Sequence, residues 1–388
     1  MRILFLNHTA SRSGAENAML RLLEAIPREH ELAVACPAEG PLKASLAELG
    51  VRHFDLPGTE VSFSLHPVKT PRGLASLLRS AVSLRTIAGR FGADVIHANS
   101  TRAGLIAVAA RRLGAPPVVV QCHDHLPRSR AGDLTRTAIA RGAEVVVAVS
   151  ETATAHFNRG LRRPKAERVY ISLDHTRFSP TVTGSSAIRS ELSLPAEARL
   201  LAHVAQITPW KGQDTSIRAL QAVRRLHDAH LMLVGDVAFA SQRYDNVGFR
   251  ESLVQLAREL NVESAVHFLG RRTDVPELMG AAELLLLPSW DEPFGLVVVE
   301  AMAVGLPVLV TDQGGVGEYV TDGVNGRLLP PHDERAWAAA TIELLADADL
   351  RSRMSRENVR VAAQFSDERY SSEMLAAYSR AMSGITYR

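Results

Sequence analysis

Short apolar runs rich in Val, Ile and Leu alternate along the chain with longer stretches whose apolar positions recur at helical spacing. Runs of that kind predict strands buried on both faces and the stretches between them predict crossover helices, so the pattern is that of parallel sheets. In the first half, strands are predicted at residues 3–6, 32–36, 51–56, 95–97, 118–122 and 145–149, and helices at 16–26, 42–49, 73–91 and 104–113. The second half repeats the alternation without repeating the sequence. Its strands are predicted at 200–205, 231–234, 266–269, 284–287 and 308–310, and its helices at 213–227, 249–260, 296–304 and 336–346. A last helix is predicted at 366–382, with Tyr370, Met374, Leu375 and Tyr378 on a core-facing side. The expected fold is α/β, with two Rossmann-like, doubly wound parallel-sheet domains in series.

The change of domain is expected within 179–196, where Ser179-Pro180, Gly184-Ser185-Ser186 and Pro195 interrupt both periodicities. This gives an N-terminal domain over 1–178, a C-terminal domain over 179–364 and a helical segment over 365–388 that crosses back to the first domain. A chain of 388 residues fits two cores of roughly 150 to 200 residues each.

Composition narrows the picture. Apolar residues make up 46% and charged residues 22%, with a mean hydropathy of +0.00, which argues against disorder. No apolar run approaches the roughly 18 residues that cross a bilayer, and the first run passes directly into Asn7 and His8, which marks a strand and not a signal peptide. The two cysteines, Cys36 and Cys122, point to no disulfide framework and fit a reducing cytoplasm.

The net charge of +2 is unevenly spread, because residues 1–180 hold 24 Lys/Arg against 15 Asp/Glu and the remainder 20 against 27. An anionic partner is therefore expected at the first half, either an acceptor bearing phosphate or carboxylate or a peripheral contact at the inner membrane face. Arg72, Arg79, Arg85 and Arg90 lie there on or near one helix, whose Leu74, Leu77, Leu78, Ala81, Leu84 and Phe91 are read as core positions.

The sharpest chemistry follows the strand at 284–287. Two prolines turn the chain through Pro288-Ser289-Trp290-Asp291-Glu292-Pro293-Phe294-Gly295, and a helix then begins at Leu296. The amides of Phe294, Gly295 and Leu296 would face an anion or sugar oxygens, and Gly295 lets a ligand approach the main chain. Glu292 before the helix and Glu300 within it are carboxylates suited to paired hydroxyls, and Glu300 is enclosed by apolar sequence. Lys211 stands between the strand at 200–205 and the helix at 213–227, where a cation beside a helix N-terminus suits a diphosphate.

Other constellations are weaker. His123 follows the strand at 118–122, with Asp124 and His125 next, but adjacent residues of an extended chain point alternately and no further zinc ligand has the right spacing. Asp347-Ala348-Asp349 is the sole Asp-x-Asp triplet and reads as a cap or turn. No Gly-x-Gly-x-x-Gly follows a strand and no Walker sequence occurs, which sets aside dehydrogenases and phosphate-loop enzymes. The Arg-rich pieces 128–141 and 159–168 lack interleaved aromatics, so no nucleic acid is expected.

Glu292-Pro293-Phe294-Gly295 through Glu300-Ala301-Met302-Ala303, with Gly305-Leu306-Pro307-Val308 and Gly314-Gly315 after it, resembles the signature of glycosyltransferase family four, a retaining family of the GT-B fold. The two glutamates, with seven residues between them, correspond to that family's donor-sugar motif. Ser13-Gly14-Ala15-Glu16, Trp210-Lys211-Gly212, Phe268-Leu269-Gly270 and Asp322-Gly323 with Gly326 extend the resemblance over nearly the whole chain. The resemblance implies two domains facing across a cleft, with the acceptor on the N-terminal one and the nucleotide sugar on the C-terminal one. It gives Glu300 the ribose hydroxyls and gives Glu292, with the amides of Phe294, Gly295 and Leu296, the transferred sugar. Gly270 and Arg271 would meet the base, the Gly14 amide the donor phosphates, and His123 the donor sugar, with His125 as its competitor.

One position departs from the family. Gln206 stands five residues before Lys211, where an arginine is usual, so the diphosphate has one cation fewer. The implied activity is transfer of a hexose-type sugar, with retention, from a UDP-sugar or a GDP-sugar to a hydroxyl of a small-molecule, glycan or lipid-linked acceptor. His123, Lys211 and Glu292 are its catalytic candidates, and neither metal nor cofactor is expected. A sugar phosphorylase or nucleotide-sugar epimerase on the same fold, and a non-catalytic sugar-nucleotide binding partner, are the alternatives.

Overall fold

The computed structural model of the protein describes residues 1–59, 69–182, 185–237 and 245–384. The chain forms two compact units, one of residues 1–172 with 365–388 and one of residues 173–364. This division precedes the stretch 179–196 in which the sequence pattern breaks, because the residues just after 172 are tied to the second unit: Arg177 donates to the Thr273 carbonyl at 2.5 Å. Gly184, part of that predicted break, lies outside the described residues.

The first unit runs β1 (Arg2–Leu6), α1 (Gly14–Ala25), β2 (Glu31–Cys36), α2 (Pro41–Glu48), β3 (Arg52–Asp55), α3 (Lys69–Phe91), β4 (Val95–Ala98), α4 (Thr101–Arg112), β5 (Val118–Cys122), α5 (Arg130–Gly142), β6 (Val145–Ala148), α6 (Glu151–Asn158) and β7 (Ala166–Arg168). Its seven strands are all parallel, in the order β3-β2-β1-β4-β5-β6-β7. Strands β4, β5 and β6 are buried along their whole length, as expected of a sheet covered on both faces, and the polar residues within them, His97 and Gln121, are met by Tyr378 and Tyr370. Three of the helices, α4, α5 and α6, each start behind a serine. The hydroxyls of Ser100, Ser129 and Ser150 accept from the amides of Ala103, Gly132 and Ala153 at 3.1, 3.2 and 3.0 Å. Each such cap stabilises its helix by about 1 kcal/mol.

The second unit continues with α7 (Ser185–Glu191), β8 (Arg199–Val204), α8 (Gln213–Val223), β9 (Ala229–Val234), α9 (Asn246–Glu259), β10 (Val266–Gly270), α10 (Val275–Ala281), β11 (Leu284–Leu287), α11 (Leu296–Ala303), β12 (Val308–Thr311), β13 (Gly326–Leu329), α12 (Glu334–Ala346) and α13 (Ala348–Ala362). Its six parallel strands lie in the order β10-β9-β8-β11-β12-β13. Trp337 is fully buried in the core, and its indole N–H reaches the Pro330 carbonyl at 2.9 Å, which satisfies its polar edge. Asp347 of the Asp-x-Asp triplet caps α13 through the Leu350 amide at 2.8 Å.

The last helix, α14 (Asp367–Ser383), belongs to the first unit and packs beside α1. Tyr370 bonds Gln121 at 3.0 Å and Tyr378 bonds His97 Nδ1 at 2.9 Å, all four residues being buried, while Arg21–Asp367 and Arg380–Glu167 pair its charged ends.

The reading of α3 needs correction. Ala81, Leu84 and Phe91 are buried as expected and Leu77 is half-buried, but Leu74 and Leu78 are exposed, at 57% and 56%. Periodicity assigned them to the buried side, whereas the residues that face inward in this part of the helix are Gly73, Ser76 and Ser80.

Candidate functional site

In an open parallel sheet, ligands bind beyond the carboxyl ends of the strands where the strand order reverses. In the second unit that point lies between β8 and β11, and two of the residues singled out in the sequence, Lys211 and Glu292, meet there. Lys211 ends a short 3-10 turn, Pro209–Lys211, in the loop after β8, and Glu292 lies in the loop after β11. Lys211 Nζ donates to Glu292 Oε2 at 2.6 Å, and the Ser289 hydroxyl donates to the same oxygen at 3.0 Å. The ammonium also sits 4.0 Å from the centre of the Trp210 ring, and the Trp290 amide donates to the Trp210 carbonyl at 2.9 Å, which ties the two loops together. Both side chains of the pair are nearly buried, at 12% and 9% exposure, so neither charge is left to solvent.

The loop bearing Glu292 is fixed from a third side. The Glu292 amide donates to Gln313 O at 3.2 Å, and the Gly315 amide donates to Glu292 O at 2.8 Å. The Tyr319 hydroxyl bonds the carbonyls of Phe294 and Gly295. Gly295 has φ +77°, and a Cβ there would lie 3.0 Å from the Tyr319 oxygen and 3.1 Å from Glu292 Cγ, so only glycine fits. Gly314, at φ +96°, is equally restricted, since a Cβ would meet the Glu292 carbonyl at 2.3 Å. The outcome is a rigid turn that leads into α11, whose N-terminal amides lack intrahelical acceptors.

Glu300 differs from Glu292. It is half-buried on α11, and among the described residues no hydrogen bond or ion pair reaches its carboxyl group. Burial raises its pKa to about 7, and nearby Arg177 only partly opposes that rise. Gln206 is half-buried in the loop after β8, and its carbonyl accepts from Gln213 Nε2 at 2.8 Å. Gly270 closes β10 at φ +62°, and its carbonyl accepts from the Gly235 amide at 2.8 Å, while Arg271 after it is exposed. The carboxyl ends of the parallel strands β8, β9, β10 and β11 thus lie at one end of the sheet.

In the first unit the strand order reverses between β1 and β4. Asn7, directly after β1, and Asn99, directly after β4, meet there in a chain of hydrogen bonds that the sequence reading missed. His123 Nε2 lies 3.0 Å from Asn99 Oδ1, Asn99 Nδ2 donates to Asn7 Oδ1 and to Ala15 O at 3.2 Å each, and Asn7 Nδ2 donates to Glu16 Oε1 at 3.0 Å. Glu16 Oε2 accepts from the Ser13 amide at 3.0 Å and from its hydroxyl at 2.5 Å, a capping box at the start of α1. Every donor points towards the Glu16 carboxylate. That polarity requires His123 to carry its proton on Nε2 and leaves Nδ1 as a lone pair. Burial lowers the His123 pKa to about 4, so the ring is neutral near pH 7.

His125 lies apart from this chain, stacked on His156 with ring centres 4.5 Å apart. Gly14 is exposed at the first position of α1, and a Cβ there would meet no atom within 4 Å, so packing does not require glycine. The signal that could have revealed Asn7 and Asn99 is their position, each the first polar residue beyond a buried strand flanking the reversal. Among the described residues no group of three or more His, Cys, Asp or Glu is placed to hold a metal.

The family model for glycosyl transferases group 1 matches residues 185–360, and that for the glycosyl transferase 4-like domain matches residues 13–174. The D-inositol 3-phosphate glycosyltransferase of Thermobispora bispora is 31% identical over 85% of this chain and 77% of its own length. That of Salinispora arenicola is 29% identical over 86% and 76%. Among solved structures, the Anabaena protein HepE in complex with UDP and glucose superimposes with a TM-score of 0.84 at 26% identity, covering 98% of this chain and 99% of that one. Sucrose-phosphate synthase from Thermosynechococcus elongatus shares the fold, with a TM-score of 0.80 at 20% identity over 99% and 100% of the two chains. The chain therefore belongs to the group 1 glycosyltransferases of family-four type, built on the GT-B fold.

Proposed function

We propose that the protein transfers a hexose-type sugar, with retention, from a UDP-sugar held by the second unit to a hydroxyl of an anionic acceptor held by the first. The observation that carries this reading is the Lys211–Glu292 pair beside the N-terminus of α11, with Glu300 in the same helix reached by no hydrogen bond or ion pair among the described residues. A diphosphate can take over the Lys211 ammonium and the α11 amides, which frees Glu292 for the sugar hydroxyls, while Glu300 accepts from the ribose. The positive charge at the departing phosphate then comes from Lys211 and amides, and no metal is assigned a part. The bond from the anomeric carbon to the diphosphate oxygen breaks as the acceptor oxygen bonds that carbon from the same face, and the acceptor proton passes to the leaving phosphate.

In the first unit, neutral His123 and the Gly14 amide are the groups assigned to the reactants. The UDP complex of HepE supports uridine over guanosine, and the D-inositol 3-phosphate glycosyltransferases support a phosphorylated polyol as acceptor. The test is a two-stage incubation with chelator present, first with UDP-glucose alone and then with D-inositol 3-phosphate added. Product that appears only in the second stage, with UDP released in equal amount, is expected. Sugar isomerised without acceptor would make the protein an epimerase, and turnover abolished by the chelator would restore a metal.

A further inference from the structure

The two helical layers of the first unit differ in charge. The crossovers step outward from β1 to β3 and then back across to β4 and beyond, which puts α1 and α2 on one side of the sheet and α3, α4 and α5 on the other. α14 packs beside α1, and α4 packs between α3 and α5. Helices α1, α2 and α14 together carry four Lys/Arg and six Asp/Glu. From residue 72 onward, α3, α4 and α5 carry ten arginines and one carboxylate, Asp133, which pairs with Arg136. Of the acidic groups at the border of this layer, Asp94 accepts from the Arg2 amide and Glu151 pairs with Arg168, while Glu144 pairs with one of the ten arginines, Arg111.

The basic layer also carries large apolar side chains in water. Leu74, Leu78 and Val82 stand on successive turns of α3 at 57%, 56% and 54% exposure, and Leu134 on α5 is 65% exposed. Arg72, Arg79 and Arg85 are exposed beside them. These leucines are not surplus core, because the inward side of α3 is already closed by Ser80, Ala81, Leu84 and Ala88, with the Ser80 hydroxyl on the Pro57 carbonyl at 3.0 Å. An apolar line flanked by guanidinium groups matches a bilayer interface, where the leucines enter the acyl boundary and the arginines remain at phosphate level. Nucleic acid would use the charge but leave the leucines in water.

We propose that the α3–α4–α5 face docks the protein on an anionic lipid bilayer, with α3 lying in the interface. The proposal is independent of the sugar-transfer reading, since it concerns a different face and asks nothing of the donor. The full chain is floated with vesicles of phosphatidylcholine alone and of phosphatidylcholine mixed with phosphatidylglycerol. Binding is expected on the mixed vesicles only and should weaken with salt. Leu74→Ser with Leu78→Ser should lower the partition constant by about tenfold or more, and so should Arg79→Glu with Arg85→Glu. Both pairs are exposed, so their unfolding temperatures and UDP binding should stay as in the parent.

Cys36 and Cys122 are buried, so Leu78→Cys can take a polarity-sensitive dye selectively. Its emission should shift to the blue on anionic vesicles, whereas the same dye on Leu226→Cys of the second unit should not respond. Equal binding to both vesicles, binding to neither, or a dye at Leu78→Cys that stays in water would overturn the proposal. Dimers that Leu74→Ser with Leu78→Ser dissolves would give the stripe to a second copy of the chain and overturn it as well.

Discussion

The two sheets place polar residues at the same topological point but use them differently. At the β1/β4 reversal, His123, Asn99, Asn7, Glu16 and Ser13 are hydrogen-bonded to one another, so the first unit spends its polar groups on internal order. At the β8/β11 reversal, the second unit holds a nearly buried ion pair, Lys211–Glu292, and a half-buried carboxyl group, Glu300, that no hydrogen bond or ion pair reaches among the described residues. Fully hydrogen-bonded networks rigidify a site, whereas a nearly buried ion pair holds interaction energy that a ligand can redirect. The comparison assigns geometry to the first unit and binding energy to the second.

The largest effect is expected at the ion pair. Lys211→Ala should lower turnover by about 100-fold or more, the scale seen when a preorganised donor is removed from developing charge. It should also destabilise the fold by roughly 3 kcal/mol, because it leaves Glu292 buried without its counter-charge. The double substitution Lys211→Met with Glu292→Gln should recover most of that stability and none of the activity. Thermal unfolding and initial rates on the three proteins separate the two roles, and an inactive but undestabilised Lys211→Ala would mean that the pair is not the store described.

Glu300 should show the opposite relation between stability and function. Its folded pKa of about 7 lies above the ordinary 4.5 of a glutamate, so the folded state keeps a proton that the unfolded chain releases. The stability it contributes is complete below the lower value and is lost as pH rises through the higher one, a difference of about 3 kcal/mol at most. Glu300→Gln should therefore raise the unfolding temperature more near pH 8 than near pH 5 while weakening donor binding. Stabilisation independent of pH would contradict this account of its burial.

A smaller effect is expected in the first unit. Asn99→Ala removes the acceptor that fixes the His123 proton on Nε2, so kcat should fall by about tenfold with little change in donor affinity. Nitrogen NMR of the imidazole should show a mixture of tautomers, and Asn99→Asp, which can still accept, should restore the Nε2–H form. The smallest effect concerns Gln206, for which Gln206→Arg should tighten UDP by up to about tenfold, since a charged hydrogen bond is roughly twice as strong as a neutral one. Calorimetry reads it directly, and unchanged affinity would place Gln206 away from the diphosphate.

Much of the fold is legible in the sequence because buried parallel strands such as β6 and β11 are unbroken apolar runs. The strands that escaped, β7 and β13, are short sheet-edge elements with the sequences AER and GRLL, where one side is not fully covered and polar residues are tolerated. Helical period found α3 but misplaced Leu74 and Leu78, since spacing defines a face without saying where along the helix that face has a neighbour. Glu292 and Glu300 could be read from one local segment. The contact between Lys211 and Glu292 could not, because 81 residues separate them and only the strand order brings β8 beside β11. The positions of the asparagines of the first unit after β1 and β4 are visible in the sequence, but their contact is not, since they lie 92 residues apart.

The most direct test of the division between the two units is a calorimetric titration of UDP across neutral pH into the parent protein, Glu300→Gln and Asn99→Ala. Affinity in the parent and in Asn99→Ala should rise together as pH passes through about 7, when Glu300 ionises and accepts from the ribose, and Glu300→Gln should bind more weakly with no such rise. An affinity that Asn99→Ala abolishes, or a pH dependence that survives in Glu300→Gln, would contradict it.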